Sequence, residues 1–264
     1  MNQLALASSE EEYSPDDEGM RWPSASKLWL SEKCGYSFTT LTKWPDDPPG
    51  PAAKFGIAAG RCAELYVLGK EYSVANVAKE NDILDRLEDL TNCDSDFRHI
   101  LDCDQFEWRV PECFMAVHVE TLDVRRADSH RDKRKGETLI GPDLVFKDLN
   151  GALWVRDWKC ARKSDSHWTQ EKAGAFAAQR LFGADECVLE LVYWSKSGPL
   201  RLKETLDGFD LETIQAWFSQ HMKRLPMMTE PTPGAHCHDG WCGARAICEA
   251  APPAPRRYTK RKVA

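Results

Sequence analysis

The sequence predicts an α/β domain with a mixed central sheet flanked by helices. Three observations carry that expectation. Residues 57–93 keep their apolar positions at helical spacing. From residue 106 the period changes to β-type alternation rich in β-branched residues. A helix-like stretch over 165–183 then separates one hairpin from two further strand-like runs.

Taken in order, "SASKLWLSEKC" (24–34) reads as a short helix, with Ser24 or Ser26 able to cap it and Leu28, Trp29 and Leu30 supplying its apolar face. "KWPDDPPGPAAKFG" (43–56) is a Pro-rich loop. "IAAGRCAELYVLGKEY" (57–72) is a helix with small residues along one side. Helical spacing continues over 74–93, with Ile83, Leu84, Leu87 and Leu90 as the stripe. "FEWRVPECFMAVHVETLDVRR" (106–126) alternates as a strand does. "TLIGPDLVFKD" and "ALWVRDWKCA" follow, joined through Asp148-Leu149-Asn150-Gly151, and Asn-Gly between alternating runs is a strong hairpin signal. "DSHWTQEKAGAFAAQRLFG" is a helix closed by Gly183. "ECVLELVYW" and "PLRLKETL" are strands, and "LETIQAWFSQHMKRL" (211–225) is an amphipathic helix. No internal repeat is visible.

Composition bounds the class. The 264 residues are 42% hydrophobic and 29% charged, an ordinary globular balance. No run of about 18 apolar residues could span a bilayer. The first residues lack the basic and apolar regions of a signal peptide, so the expected location is cytoplasmic. Residues 1–20 are acidic and poor in apolar side chains, and are expected to be a disordered tail. A single domain is expected over 21–250, followed by a basic, Pro-rich disordered tail over 251–264. The net charge of −7 does not announce a nucleic-acid binder. The basic runs at 125–135 and at the C-terminus are solvated segments or local phosphate contacts.

The hairpin carries the chemistry. Side chains alternate along a strand, so Asp157 and Lys159 share a face, and the turn can bring Asp143 opposite them. Two adjacent carboxylates repel unless one protonates or a cation joins them. A hard divalent ion such as Mg²⁺ or Mn²⁺ takes oxygen ligands, polarises a phosphoryl oxygen and acidifies water. A lysine beside that water can position it or stabilise developing charge. The alternative is a surface hairpin with a simple Asp157–Lys159 ion pair, because D-x-K is a short pattern.

"GPD" followed by "RDWK" resembles the motif of the PD-(D/E)XK nuclease superfamily. The likeness implies a restriction-endonuclease-like core, Asp143 and Asp157 as metal ligands, and Lys159 as the catalytic lysine. More of the chain is similar to RecB-type members, including CRISPR-associated and phage exonucleases: "PSASKLWLSEKCGYS", the Gly-containing helix "FGIAAGRCAE", and Gln170 opening the helix after the lysine strand. The resemblance spans residues 22–250. It implies a DNA nuclease, acting as an exonuclease in recombination, repair, or CRISPR or phage DNA processing, with DNA as substrate, no membrane, and a recombination or CRISPR-adaptation protein as partner. Two positions depart from the family. Gly60 stands where a metal-binding histidine is usual, with Glu64 one turn later as a third acidic ligand or a solvated carboxylate. Gly174 stands where tyrosine follows the glutamine. These departures leave room for a weak or inactive nuclease fold that holds DNA without cutting it.

Ten cysteines in an expected reducing compartment call for another explanation than disulfides. "PGAHCHDGWCGARAICEA" holds Cys237, Cys242 and Cys248. RecB-type nucleases resembling this chain hold a [4Fe–4S] cluster with one N-terminal and three C-terminal cysteines, which implies Cys34, Cys237, Cys242 and Cys248 here. The cluster would staple distant chain ends over the core. Zn²⁺ is the alternative, since His236 and His238 adjoin and zinc accepts both residue types, as in a zinc-binding adaptor. Cys62, Cys93, Cys103, Cys113, Cys160 and Cys187 are expected to be buried thiols. Trp44 and Trp168 are candidates for stacking on bases of a single strand. No phosphate loop of the G-x-x-x-x-G-K-[ST] type occurs, so no ATPase activity is expected.

Overall fold

A computed structural model describes residues 22–39, 49–129, 132–161, 163–238 and 248–250. The acidic and basic tails, Trp44, Trp241 and Cys242 lie outside the described residues. The helices are α1 (Ala25–Lys33), α2 (Tyr36–Thr39), α3 (Pro51–Val67), α4 (Val74–Glu80), α5 (Leu87–Cys103), α6 (Asp165–Phe182), α7 (Gly208–Arg224) and α8 (Ala235–His238). The strands are β1 (Phe106–Pro111), β2 (Met115–His118), β3 (Val124–Arg126), β4 (Glu137–Ile140), β5 (Leu144–Asp148), β6 (Leu153–Lys159), β7 (Cys187–Tyr193) and β8 (Leu200–Leu206). Among the described residues no helix is long and apolar enough to cross a membrane.

The predicted mixed sheet is present. Five strands lie in the order β1-β5-β6-β7-β8; β6 and β7 run parallel, and every other neighbouring pair is antiparallel. The parallel pair needs a crossover, and α6 supplies it. One sheet face presents Val145, Leu153, Val155 and Leu189 to α6, which packs in turn on α1 and α7 through Ala173, Phe176, Ala177, Leu28 and Phe218. The other face presents Leu144, Phe146, Trp158 and Val192 to α3 and α5, meeting Phe55, Ala59 and Phe97. The inner strand β7 is buried along its whole length, as a strand covered on both faces must be.

Several boundaries differ from the sequence reading. The alternating run 106–126 is three strands: β1 joins the large sheet, while β2 and β3 join β4 in a separate antiparallel sheet of order β3-β2-β4. Glu112, at φ 45°, turns the chain between the two sheets. Helix α3 begins at Pro51, six residues before the expected start, because proline at the first turn has no N–H to leave unpaired and its φ is already helical. The expected helix 74–93 is broken: α4 ends at Glu80, Asp82 takes φ 56°, and a 3₁₀ turn over Leu84–Arg86 precedes α5. Ile83 and Leu90 are buried, whereas Leu84 is 53% exposed and leaves the stripe. Ser24 occupies the N-cap position of α1 without a side-chain capping bond.

The small sheet is tied by Arg125. Its Nε and NH2 donate to Glu137 Oε1 and Oε2 at 2.9 and 2.8 Å, and its NH1 and NH2 donate to Asp132 at 2.9 and 3.0 Å. Hydrogen bonds from Arg125 hold the Asp132 carboxyl below its ordinary range. Burial alone would raise Glu137, but the Arg125 hydrogen bonds outweigh it and hold that carboxyl low as well. Groups with depressed folded pKa values stabilise the fold above their unfolded pKa and lose that contribution as pH falls through the folded one. Arg125→Gln is therefore expected to destabilise by about 2 kcal/mol at pH 7. The gap to wild type should narrow below about pH 4, as urea unfolding at the two pH values will read.

Candidate active site

The site forms on the α6 face of the sheet, at the C-terminal end of β6. Gly141-Pro142 leads into β5. A Cβ at Gly141 would stand 2.8 Å from the Phe114 ring, so only glycine allows this approach. The Pro142 and Asp143 carbonyls accept from Cys113 N and Glu112 N at 3.2 and 2.9 Å, which fixes the start of β5 against the β1–β2 link. Leu144 faces Arg156 across the hairpin, and continuing that register sets Asp143 level with Asp157. Asp143 Oδ2 accepts a hydrogen bond from Trp158 N at 2.6 Å. The Trp158 ring is stacked on Phe97 of α5 at 4.4 Å between centroids, so packing behind the sheet fixes this donor in place.

Asp157, 2% exposed, is in contact with the Lys159 ammonium. Lys159 Nζ also donates to Gln170 Oε1 at 3.4 Å. Three of the predicted residues, Asp157, Lys159 and Gln170, are thus in direct contact, and Asp143 is joined to them through Trp158. Burial pushes the Asp143 carboxyl above its ordinary range, opposed by the Lys159 charge and the Trp158 N–H.

Glu64 makes its ion pair with a residue outside this group. It pairs with Arg61 on the same helix. Its link to the hairpin runs through Glu112, whose carboxyl is pushed up to about 7 by burial, then by the Asp143 and Glu64 charges, with Arg61 opposing. At Gly60 an added Cβ would meet nothing within 4 Å. At Gly174 it would stand 3.3 Å from Val155 Cγ1, so the glycine lets α6 lie close to the sheet and a tyrosine would push it away.

Four groups at the site escaped the sequence reading: Glu112, His167, Glu171 and Tyr193. Tyr193 lies beside Lys159 in the parallel β6–β7 register, and its hydroxyl is 2.8 Å from His167 Nδ1. Burial and the Lys159 charge lower His167 to about 4, so it is neutral at physiological pH. Glu171 is 1% exposed, and neither carboxylate oxygen has a hydrogen-bond partner. Burial pushes its pKa up to about 8, with Lys159 opposing and Asp143 adding. A signal was available: His167, Gln170, Glu171 and Gly174 recur at i, i+3, i+4 and i+7, one face of α6. Nothing comparable marked Glu112 or Tyr193, whose neighbours are distant in sequence.

The sequence profile of the PD-(D/E)XK nuclease superfamily matches residues 23–249. The chain belongs to that superfamily. Its five-stranded mixed sheet flanked by helices is the restriction-endonuclease-like architecture of PD-(D/E)XK nucleases, and the match runs from the start of α1 through the last described segment. Solved structures similar to this nuclease chain include a provisionally assigned exonuclease from Eubacterium rectale, at 12% identity and TM-score 0.48, covering 97% of both chains. Another is the protein SSO0001, at 16% identity and TM-score 0.38, covering 86% of this chain and 95% of that one. No curated protein matches the sequence.

PD-(D/E)XK nucleases typically work with a divalent metal ion. Buried oxygens without hydrogen-bond partners, Asp157 Oδ2 and both of Glu171, suit a cation, and Lys159 lies against the first of them. Among the described residues no three His, Cys, Asp or Glu side chains already form a closed cage. Mg²⁺ needs none, since it keeps several waters and binds through one or two carboxylates plus substrate phosphate.

Among the described residues no metal-holding group forms on the predicted cysteines. Cys34, 6% exposed, follows α1, and its sulfur accepts from Thr232 N at 3.5 Å. Cys237 is buried and Cys248 partly buried. Cys242 and the side chains of His236 and His238 lie outside what is described. Among the other thiols, Cys62, Cys93, Cys113 and Cys187 are buried as expected. Cys103 is exposed beside His99 at the last residue of α5, and Cys160, just past the end of β6, is half-exposed with its sulfur 3.9 Å from that of Cys93. Trp168 is partly buried against the core.

Proposed function

We propose that this chain is a Mg²⁺- or Mn²⁺-dependent deoxyribonuclease of RecB type that works in the cytoplasm from DNA ends. The observation that carries the reading is the contact set Asp157, Lys159 and Gln170, aligned with Asp143 on one sheet face. Asp143 and Asp157 would hold the ion, which supplies charge neutralisation at the phosphoryl group and lowers the pKa of water. Trp158 N–H keeps the Asp143 carboxylate in one orientation. Gln170 accepts from Lys159 and keeps its ammonium at the mouth, where it can orient the attacking water and stabilise charge on the phosphate oxygens. The exonuclease mode, and work beside recombination or CRISPR-adaptation proteins, follow from the likeness of the N-terminal, Gly-containing and glutamine segments to RecB-type enzymes. Contact between Cys34 and the segment entering α8 supports a metal staple on Cys34, Cys237, Cys242 and Cys248. A [4Fe–4S] cluster would make anaerobically purified protein brown, and zinc would leave it colourless.

The test uses labelled linear single- and double-stranded DNA with free or blocked ends, in Mn²⁺, Mg²⁺ or chelator. Expected is shortening from free ends only, abolished by chelator. Retention in a gel shift without cutting under any metal would replace this reading with a nuclease-fold DNA-binding module. Gly60 and Gly174, in place of the family's histidine and tyrosine, favour that second reading.

A further inference from the structure

Helix α6 does more at this site than bring Gln170 to the lysine. The side chain after Gln170 is an acid, enclosed between α6 and the sheet. A Cβ built at Gly174 reaches Glu171 Oε2 at 3.9 Å, Pro142 Cβ at 4.0 Å and Val155 Cγ1 at 3.3 Å. The carboxylate therefore lies beside Gly174, where α6 meets Pro142, the residue preceding Asp143, and Val155, the residue two before Asp157. It is 1% exposed, and its oxygens have no hydrogen-bond partner. Lys159, the nearby cation, is already in contact with Asp157 and Gln170.

An acid with no partner in a packed interface is a poor packing residue, because leucine or glutamine would fill the space without the cost of burying an unpaired charge. Such groups are kept where something charged arrives. We propose that Glu171 is a third carboxylate ligand of the divalent ion, joining Asp143 and Asp157. Ionised around the ion, three carboxylates against the one Lys159 ammonium leave two net negative charges, the complement of a divalent cation. Among the described residues these side chains do not form such a group without the ion, so the proposal requires Glu171 to lose its proton and re-orient as the ion enters. The inference rests on the metal-dependent reading above.

Glu171→Gln removes the charge and keeps the shape. Mn²⁺ binding is measured on the full chain by titration calorimetry, together with the rise in melting midpoint that Mn²⁺ produces. Expected is a Kd weakened by about 10–100-fold, a smaller Mn²⁺-induced rise, and a metal-free midpoint no lower than wild type. Glu171→Asp, one methylene shorter, is the second variant should the amide disturb folding, and weakened binding is expected there too. Wild-type Mn²⁺ affinity in a folded Gln or Asp variant overturns the inference and leaves the nuclease reading intact. A wild-type chain that neither binds Mn²⁺ nor cuts DNA overturns both.

Discussion

Asp157→Asn is expected to slow DNA hydrolysis by about a thousandfold while the protein stays folded. The amide matches the carboxylate in size, and its oxygen can still face the Lys159 ammonium, so the packing around β6 has no reason to change. What disappears is the negative charge that would hold the divalent ion. Lys159 would then face a neutral neighbour, and Asp143 alone would hold the metal from the hairpin. Rates with saturating Mn²⁺, circular dichroism and a gel shift on the same preparations separate the possibilities. The expected pattern is DNA retained, spectrum unchanged and cutting lost. An Asn variant that cuts within tenfold of wild type removes Asp157 from the chemistry.

The largest expected loss of stability lies one residue away, on the opposite face of the strand. Arg156 is 0% exposed and sits among Glu190, itself fully buried, and Asp104. Its Nε donates to Glu190 Oε2 at 2.6 Å, and its NH2 stands 2.6 Å from Asp104 Oδ2. Its guanidinium also lies over the Phe146 and Trp158 rings, 4.9 and 5.2 Å from their centroids. Burial alone would raise the Glu190 carboxyl, but the Arg201 hydrogen bond and the Arg156 charge outweigh it and hold it low. Arg156→Met removes the buried cation and leaves Glu190 with only the edge residues Arg201 and Lys203. Breaking a buried pair this way costs about 3–5 kcal/mol, and the two remaining cations favour the lower figure. Urea unfolding reads the loss. Adding Glu190→Gln should restore part of it, since the stranded charge goes with it. A single variant within about 1 kcal/mol of wild type, a difference comparable to the uncertainty of the extrapolation, would show that the network contributes little.

Much of the architecture was legible because its signals are local. The loop at Asp148–Gly151 forms as Asn-Gly predicts, with Gly151 at φ 88° and Asp148 Oδ1 accepting from Asn150 N and Ala152 N. Helix α6 ends at Gly183, φ 70°, whose N–H bonds Gln179 O at 2.8 Å. Strand alternation put Asp157 and Lys159 on one face, and the family likeness singled out Gln170, which lies within α6. What escaped the reading depends on tertiary structure. Asp82 and Glu112 adopt left-handed backbone without being glycine, so no composition signal marked the break before α5 or the passage from β1 to the small sheet. Glu171 was overlooked because a charged residue in an amphipathic helix reads as solvent-facing until the opposing sheet is placed.

The grip on Asp143 comes from the main chain of Trp158, and this makes the alignment of the two hairpin strands part of the candidate site. No exchange of side chain at position 158 deletes that amide, short of proline. The vulnerability lies instead at the far end, in the short connection between β5 and β6. One residue inserted there, if absorbed by a slip of β6, would turn its alternating side chains over. Asp157 and Lys159 would then point toward α5, stranding Asp143, Gln170 and Glu171 on the face they had left.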